Sequence, residues 1–314
     1  MNMPTDPKTL GAASGEDGSG LLQPAPGSSD KKDIVNERLI GALLDANAAL
    51  GVEKVQQILE FARTKGMRFG AAAVALGMVS QDQVLHALSE QFGYAFASEE
   101  RRKLMPELVG LNQPFSMLAE SFREIRSQLM AQLYTKNAGQ PRRALAVVSP
   151  ASGEGKTFFS ANIAVSLAQV GGRTLLIDAD LRGPRQHEVF RLENRTGLSS
   201  VLAGHVAADV IQAVPDVANL FVMPAGIAPP NPLELFERPV FGMLIRELCS
   251  KFDHVVVDTP AMMFGADARV IAAHCDAALV VARKDQSRHA SLQQLVAALS
   301  QSPARIAGVI LNEY

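Results

Sequence analysis

The segment SPASGEGKT at positions 149–157 constrains the fold of this chain more than any other feature. It follows a short apolar run, ALAVV, and leads into a stretch of helical character, FFSANIAVSLAQV. A strand that ends in a glycine-rich turn and opens into a helix directs several backbone N–H groups and the positive helix end to one point. Such a point suits a nucleotide polyphosphate, so the segment predicts a phosphate-binding loop. The residues expected to contact the nucleotide there are Ser152, Gly153, Glu154, Gly155, Lys156, Thr157 and Phe158.

Two side chains of this loop carry the predicted chemistry. Lys156 would reach the outer phosphates, and the Thr157 hydroxyl would complete the coordination shell of a magnesium ion. Pro150 stands where such loops usually have their first glycine, so the loop is slightly irregular. The alternative, a glycine-rich turn that binds nothing, is disfavoured because the GKT ending lies between a strand and a helix.

The loop opens a region in which apolar runs alternate with helical patterns. In chain order from position 144, the runs are ALAVVS, TLLIDAD, NLFVMP, DHVVVD, AALVVAR and RIAGVILN. They are rich in Val, Ile and Leu and barely alternate with polar residues, which indicates a mostly parallel sheet covered by helices on both faces. The predicted fold class is therefore α/β, a P-loop NTPase, preceded by a small all-α N-terminal domain. Ligands of such sheets bind beyond the carboxyl ends of the strands.

Three aspartates are predicted at those carboxyl ends. Asp178 and Asp180 end the second run at alternate positions, so both carboxylates can face the loop crevice. Asp258 ends the run HVVVD. One carboxylate would bind magnesium through water, and another would accept a proton from an attacking hydroxyl, as in phosphoryl transfer. The alternative, an Asp that caps the following helix, is common for one residue but weaker for three around one loop.

Composition excludes several other classes of protein. The 314 residues are 47% hydrophobic with a formal net charge of -2 and no sustained block of one sign, so nothing indicates nucleic acid or an anionic membrane as a partner. Cys249 and Cys275 lack metal-ligand spacing and are expected to be reduced and buried. No apolar stretch approaches the roughly 18 residues needed to span a bilayer, and the N-terminus is not that of a signal peptide. Membrane contact is therefore expected only through a partner.

The chain is expected to contain two folded domains. Residues 1–32 are rich in small and polar residues and are expected to form a disordered tail. Residues 33–97 carry a repeat of about 29 residues, in which IGALLDANAALGVEKVQQILEFA aligns with FGAAAVALGMVSQDQVLHALSEQ, and each copy predicts two helices. A linker is expected at 98–117. The nucleotide-binding domain is expected at 118–314, beginning with the helix in MLAESFREIRSQLMAQLY.

Together these motifs resemble a known family. SPASGEGKT, LLIDADLR, FDHVVVDTP, PAGIAPPNPLELF and the closing GVILN are similar to the bacterial tyrosine kinases of polysaccharide export, the CpsD, CapB and Wzc group, and most closely to the EpsG-like chain-length determinant kinases. The resemblance covers roughly residues 115–314 and implies a protein-tyrosine kinase that uses ATP and Mg²⁺ and regulates exopolysaccharide chain length and export. It implies that Lys156, Asp178, Asp180 and Asp258 are catalytic. Asp178 is then the base, and Thr157, Asp180 and Asp258 have metal-linked roles, although the roles of the first two aspartates can be exchanged.

The resemblance also implies partners. Glu120, Arg123 and Arg126 match the family's ExxRxxR motif, through which subunits contact one another in a ring. The family further implies a membrane-bound Wzz-type chain-length determinant protein as partner, with this chain cytoplasmic and peripheral to the inner membrane through that partner. The alternative for the motif is a surface helix with ordinary intrahelical ion pairs.

Two features depart from the family's pattern. Ala261 stands in DTPA where DTPP is common, and the usual tail with a cluster of tyrosines is missing, which leaves Tyr314 as a single acceptor candidate or a simple end. Autophosphorylation is therefore a weaker expectation than ATP binding. Secondary candidates for contact with phosphate or a partner are Arg182, Arg185 and His187, with loop anchoring as the alternative. Asn312 is a candidate contact of the base.

Two other functions stay open. A P-loop ATPase resembling MinD and ParA would carry an extra Lys five positions before the loop lysine, but Ala151 stands there, which argues against an ATP-sandwich dimer. The other is a nucleotide-binding subunit that regulates polymer length without phosphorylating tyrosine, an alternative that the missing tail leaves open.

The second copy of the N-terminal repeat resembles the MshEN module of type II secretion and pilus ATPases, whose paired repeats bind cyclic di-GMP. It matches that module at four positions, Arg68, Gly70, Gly77 and Gln91. An Arg beside small residues suits a phosphate or a guanine edge. The first copy is degraded at three of the positions, which are Leu39, Ala48 and Ala62. A structural or docking module is therefore the alternative to a cyclic di-GMP site.

Overall fold

The computed structural model describes residues 44, 50–92, 103–134, 142–205, 209–215 and 217–313. The chain divides into two compact units, residues 1–78 and 79–314. The predicted tail at 1–32, nearly all of the first helix of the first repeat copy, and Tyr314 lie outside the described residues. The division after Met78 falls within the second repeat copy, and the domain limits expected from the sequence stay predictions.

Two helices are described in the smaller unit, α1 (Gly51–Lys65) and α2 (Phe69–Ala75). Ile58 and Ala62 lie four residues apart on α1 and are both buried, which is the spacing of a helix that packs on one side. Helix α2 buries Phe69 and Ala72. The helical character predicted for this stretch is confirmed.

Three helices are described before the sheet of the larger unit, α3 (Gln81–Phe92), α4 (Val109–Asn112) and α5 (Met117–Gln132). A reciprocal capping box starts α3, because the Ser80 N–H donates to Gln83 Oε1 (2.8 Å) and the Gln83 N–H donates to Ser80 Oγ (3.1 Å). Ser116 caps α5, since its hydroxyl oxygen accepts from the Ala119 N–H (3.2 Å). Local side-chain chemistry thus sets where these two helices begin.

Strands and helices alternate after α5. In chain order they are β1 (Ala144–Val148), α6 (Lys156–Ala168), β2 (Thr174–Asp178), α7 (Gln186–Val189), α8 (Leu198–Leu202), β3 (Gln212–Ala213), β4 (Leu220–Met223), α9 (Pro232–Glu237), α10 (Pro239–Lys251), β5 (His254–Asp258), a 3-10 helix (Met262–Phe264), α11 (Asp267–Cys275), β6 (Asp276–Arg283), α12 (His289–Ser300) and β7 (Arg305–Asn312). Each of the six apolar runs forms a strand, as predicted. Strand β3 was not expected, because two residues carry no hydrophobic pattern.

The described residues form one seven-stranded sheet in the order β3-β4-β2-β5-β1-β6-β7. All neighbouring strands in it are parallel except β3 and β4. The predicted α/β fold with a mostly parallel sheet is therefore confirmed. Strand β5 lies between β1 and β2, and its register pairs Asp258 with Asp178. This order brings the loop after β1 and two of the predicted acids to one edge of the sheet.

Hydrophobic side chains cover both faces of the sheet. Every residue of β1, β2 and β5 is buried, which explains why their sequences do not alternate between apolar and polar residues. Helix α6 is buried along almost its whole length and packs with Phe122 of α5. Cys249 and Cys275 are free, buried thiols, as expected. No helix in the described ranges is long and apolar enough to cross a membrane.

Residues 105–112 fall within the predicted linker and pack against α6. Leu108 and Leu111 are fully buried in the same hydrophobic cluster as that helix. Asn162 of α6 joins the two segments, because its side-chain oxygen accepts from the Val109 N–H (2.7 Å). The apolar residues of MPELVGLN follow neither a helical nor a strand period, so the sequence did not indicate this packing.

Candidate nucleotide and magnesium site

The loop between β1 and α6 has the conformation of an anion site. Gly153 (φ 78°) and Gly155 (φ 96°) adopt left-handed backbone conformations that residues with a side chain rarely adopt. Gly155 caps α6, so Lys156 and Thr157 are the first residues of that helix. The first N–H groups of a helix have no partner within it and carry the positive end of its dipole. They lie in this loop, where they suit a phosphate group.

Side chains from elsewhere in the unit hold this loop. Asn312 Nδ2 donates to the Glu154 carbonyl (3.1 Å), and the Ser287 hydroxyl donates to the Glu154 carboxylate. The same carboxylate accepts from the Ala151 N–H (3.0 Å) and is only 2% exposed. Glu154 was expected to contact the nucleotide, but its side chain braces the loop. A phosphate would therefore meet its backbone, since the carboxylate carries a charge of the same sign.

Asp178 and Asp258 are adjacent at the edge of the sheet. They are paired between β2 and β5 and are at most 1% exposed. Asp178 accepts hydrogen bonds from the backbone N–H groups of Asp180 (3.2 Å), Arg185 (3.0 Å) and Gln186 (2.9 Å). The turn after β2 therefore folds around this carboxylate.

Asp258 is held by side chains from both neighbouring helices. Gln186 Nε2 of α7 donates to Asp258 Oδ2 (2.8 Å), and the Ser160 hydroxyl of α6 donates to Asp258 Oδ1 (3.4 Å). Thr157 and Lys156 lie close enough to stabilise its charged form. The lysine and the threonine of the phosphate loop thus lie beside Asp258, the third predicted acid.

The two buried acids have strongly perturbed pKa values. Burial raises the pKa of Asp178 well above its usual range, and the nearby charges of Asp258 and Asp180 raise it further, against hydrogen bonds from the backbone that lower it. Burial raises the pKa of Asp258 to about 6, although the Lys156 ammonium and accepted hydrogen bonds oppose the rise. Two adjacent buried carboxylates favour a bound cation, because each destabilises the charged form of the other.

This arrangement fits a magnesium ion. In nucleotide sites Mg²⁺ is usually held by one or two protein oxygens together with phosphate oxygens and water. Thr157 and Asp258 supply a hydroxyl and a carboxylate at the start of α6. Among the residues that the structure describes, no group of three or more His, Cys, Asp and Glu side chains is arranged to hold a metal alone. A magnesium ion would therefore take part of its coordination from the nucleotide.

Asp180 lies at the rim of the acidic cluster. It is less buried than Asp178, and its Oδ1 accepts from the N–H groups of Arg182 (3.2 Å) and Gly183 (3.0 Å). It therefore caps the turn that follows β2. The structure brings all three predicted acids to one crevice, with Asp180 the most accessible of them.

Two of the secondary candidates for contact with phosphate, Arg182 and Arg185, form ion pairs within the chain. Arg182 Nη2 donates to both carboxylate oxygens of the buried Asp267 (3.1 and 3.2 Å), and Arg185 pairs with Glu107. The Nδ1 atom of His187 is buried without a hydrogen-bond partner among the described residues. The two arginines thus anchor the loop between β2 and α7, and their contact with phosphate stays a prediction.

The ExxRxxR motif lies on α5. Arg123 pairs with the exposed Glu120 (2.5 Å) and also donates to the Pro114 carbonyl. Arg126 Nη1 donates to the Ser166 carbonyl of α6 (3.0 Å). These contacts stabilise α5 and its packing on the phosphate-loop helix. A role of the motif between subunits stays a prediction.

The sequence did not indicate two residues that contact Asp258. These residues are Gln186 and Ser160. Gln186 follows the predicted base Asp178 by eight positions, at the start of the short helix α7, where the sequence has no recognisable motif. Ser160 lies in the apolar sequence of α6. Its one signal was that a polar residue in a buried helix needs a hydrogen-bond partner.

An apolar cavity of about 340 Å³ adjoins the phosphate loop. It lies between α5, the start of α6 and the end of β7, and its lining includes Gly155, Phe158 and Asn312. Apolar walls with an amide at the edge suit a flat heteroaromatic ring. The structure thus places two predicted nucleotide contacts, Phe158 and Asn312, on one cavity.

The residues matched to cyclic di-GMP modules are divided between the two units. Arg68 and Gly70 lie at the start of α2, and Gly77 follows that helix, whereas Gln91 lies in α3 of the larger unit. Gly70 is buried within α2. A cyclic di-GMP site stays a prediction from resemblance alone.

The fold and this site define the class of protein. Residues 145–314 match the family model described as the CobQ/CobB/MinD/ParA nucleotide binding domain, so the chain has a nucleotide-binding domain of that P-loop class. The tyrosine-protein kinase YwqD of Bacillus subtilis is 30% identical over 210 residues, which are 67% of this chain and 87% of that protein. The tyrosine-protein kinase wzc of Salmonella typhi is 32% identical over 213 residues, which are 68% of this chain and 29% of that protein.

A solved structure extends this likeness to three dimensions. The kinase domain of the Escherichia coli tyrosine kinase ETK superposes with a TM-score of 0.61 at 32% sequence identity, covering 65% of this chain and 79% of that chain. The chain therefore belongs to the bacterial tyrosine kinase family. The family expected from the sequence motifs is confirmed.

Proposed function

We propose that this chain is a protein-tyrosine kinase that uses ATP and Mg²⁺. One observation carries the proposal: the buried carboxylates of Asp178 and Asp258 are adjacent, beside Lys156 and the positive end of α6. A proton acceptor and a metal ligand next to a phosphate loop are the parts that phosphoryl transfer requires. Membership of the bacterial tyrosine kinase family supports a tyrosine hydroxyl as acceptor.

Each residue has a separate role in the proposed transfer. The loop N–H groups and the Lys156 ammonium bind the outer phosphates and stabilise the charge that develops on them. Thr157 and Asp258 would hold Mg²⁺, which would neutralise phosphate charge when bound. Asp178 accepts the proton of the tyrosine hydroxyl, since its raised pKa makes its ionised form a stronger base than an ordinary carboxylate. Asp180, at the rim, would have a metal-linked role.

The nucleotide base would occupy the cavity beside the loop. The Asn312 amide already lies 3.1 Å from the Glu154 carbonyl, next to the turn that binds phosphate. Phe158 supplies an apolar wall. A nucleotide could thus extend from the loop into the cavity while its phosphates stay at the start of α6.

At the level of the cell, we propose a role in exopolysaccharide chain length and export. The chain would be cytoplasmic and reach the inner membrane through a membrane-bound Wzz-type partner, and it would form a ring through Glu120, Arg123 and Arg126. No nucleic acid is expected as a partner, because the net charge is -2 without a block of one sign.

Labelled ATP separates this proposal from its alternatives. The full chain is incubated with Mg²⁺ and a tyrosine substrate, with and without the cytoplasmic segment of the membrane partner. Label on tyrosine that disappears in Lys156→Met supports the kinase. Phosphate release without such label supports an ATPase, and nucleotide binding with neither supports a regulatory subunit. Absence of tyrosine label in the presence of the partner segment overturns the proposal.

The same assay assigns the base. Asp178→Asn should lower tyrosine labelling by about 10²- to 10⁴-fold, the usual contribution of a positioned base, while ADP binding persists. Asp180→Asn is the matched control, since it removes the neighbouring carboxylate at the rim. A larger loss of labelling in Asp180→Asn would exchange the two roles.

A further inference from the structure

Gln186 joins three parts of the candidate site. Its side chain is fully buried, and Nε2 donates to Asp258 Oδ2 (2.8 Å) and to the Thr157 carbonyl (3.1 Å). Its backbone N–H donates to Asp178 Oδ2 (2.9 Å). One residue of α7 thus contacts the phosphate-loop helix and both buried acids.

The orientation of the Gln186 amide follows from these partners. A carboxylate oxygen and a carbonyl oxygen can only accept hydrogen bonds, so the atom that faces them both must be the donor, Nε2. Oε1 then has no hydrogen-bond partner among the described residues, although it is buried. A buried amide oxygen without a donor is unfavourable and usually marks a water or a bound group.

The surroundings of Gln186 indicate what that group is. The amide lies between the two residues that fit a metal ligand role, Asp258 and Thr157. A magnesium ion in a nucleotide site keeps several water molecules, and each of them is a strong hydrogen-bond donor. Residues that contact metal ligands in this way orient them and tune metal binding.

We propose that Gln186 is a positioning residue for the metal–nucleotide complex: its Nε2 orients the two metal-ligand candidates Asp258 and Thr157, and its Oε1 accepts a hydrogen bond from a metal-bound water. This inference rests on the proposed function, since it requires a nucleotide bound with Mg²⁺. Gln186 does not bind phosphate itself in this account. Its effect is therefore confined to the part of nucleotide affinity that depends on the metal.

Substitution by methionine tests this role. Gln186→Met keeps the length and approximate volume of the side chain but removes the donor and the acceptor. We expect the affinity for ADP measured by calorimetry with Mg²⁺ to fall about 10-fold, the lower end of what partners of metal ligands contribute. With EDTA in place of Mg²⁺, the affinity for ADP should change less than twofold, because Lys156 and the loop N–H groups are untouched.

Gln169→Met is the matched control. Gln169 caps the other end of α6, where its Nε2 donates to the Gly110 carbonyl (3.4 Å). The control removes the same amide group at the opposite end of α6 from the acidic cluster. ADP affinity should be unchanged in this variant with Mg²⁺ and with EDTA.

The outcomes separate this inference from the proposed function. If ADP binding by the natural chain depends on Mg²⁺ and Gln186→Met retains it within twofold, the role of Gln186 is refuted and the kinase proposal stands. An equal loss with Mg²⁺ and with EDTA also refutes it, since that result describes a merely structural residue. If the methionine variant does not fold, Gln186→Asn decides, because its amide is one methylene too short to span both partners. A selective loss with Mg²⁺ in that variant supports the role, and no selective loss refutes it.

Discussion

Replacing Gly155 by alanine would measure how the end of β7 controls the start of the phosphate-loop helix. A Cβ atom at position 155 would lie 2.3 Å from Asn312 Nδ2 and 3.4 Å from Asn312 Cγ. Asn312 is the one contact within 4 Å among the described residues outside the local chain. Its Nδ2 would have to move by about 1 Å to reach van der Waals distance. That movement breaks the hydrogen bond to the Glu154 carbonyl, now 3.1 Å long.

Two costs add in this variant. The left-handed backbone at position 155 (φ 96°) costs alanine about 1–2 kcal/mol. Losing the Asn312 hydrogen bond costs about 1 kcal/mol more. Gly155→Ala should therefore lower the free energy of unfolding by about 2–3 kcal/mol. In an Asn312→Ala background the hydrogen bond is already absent, so Gly155→Ala should cost only about 1–2 kcal/mol.

The coupling energy between positions 155 and 312 is measured by urea unfolding of four chains. They are the natural chain, Gly155→Ala, Asn312→Ala and the double variant. Far-ultraviolet circular dichroism follows the loss of secondary structure, since the chain has no tryptophan whose fluorescence could report unfolding. Gly153→Ala is the control, because its backbone is also left-handed (φ 78°) but a Cβ there meets nothing within 4 Å. Its cost should be the same in both backgrounds. An equal cost of Gly155→Ala in both backgrounds would refute the reasoning, which requires a coupling of about 1 kcal/mol.

Two further predictions concern buried charges. The free energy of unfolding measured by urea with EDTA should fall as the pH rises from about 4 to above 6, because a folded pKa of about 6 for Asp258 exceeds its unfolded value and the ionised form is disfavoured in the fold. Ionisation of Asp258 should account for on the order of 3 kcal/mol of this fall in the free energy of unfolding. Asp258→Asn should therefore reduce the pH dependence of the free energy of unfolding by that amount. An unchanged pH dependence in this variant would show that Asp258 is ionised in the fold at no cost. Arg182→Ala should lower the free energy of unfolding, measured by thermal denaturation, by about 2 kcal/mol. The substitution leaves the carboxylate of Asp267, which is 1% exposed, without its cation. A loss below about 0.5 kcal/mol would mean that water replaces the arginine.

Much of the fold was predictable because its signals are local. Six apolar runs without alternation predicted six strands that are buried on both faces, and each of the six was found. The phosphate loop was recognised because a glycine-rich turn with a GKT ending lies between a predicted strand and a predicted helix. Gly153 and Gly155 adopt the left-handed backbone that such a turn needs. The packing of 105–112 on α6 was missed because its apolar residues follow no regular period.

The candidate site was predictable in its residue types but not in all its contacts. Asp178 and Asp258 were expected at strand ends and lie there. The inward turn of the Glu154 side chain was not foreseen, because one of its two partners, Ser287, lies 133 positions away. Gln186 was missed for the same reason, since its contact with Asp258 spans 72 positions. The residues that neighbour a side chain in the sequence do not indicate which distant residue it will contact.

The sequence by itself determined the elements, the phosphate loop and the acids at strand ends, because these depend on backbone conformation and hydrophobic period within a few residues. Only the tertiary structure decided that β5 lies between β1 and β2 and pairs Asp258 with Asp178. Strand order results from the packing of both sheet faces, which involves the whole larger unit at once. That order buries two carboxylates side by side and raises their pKa values, so the electrostatics of the site are a property of the fold.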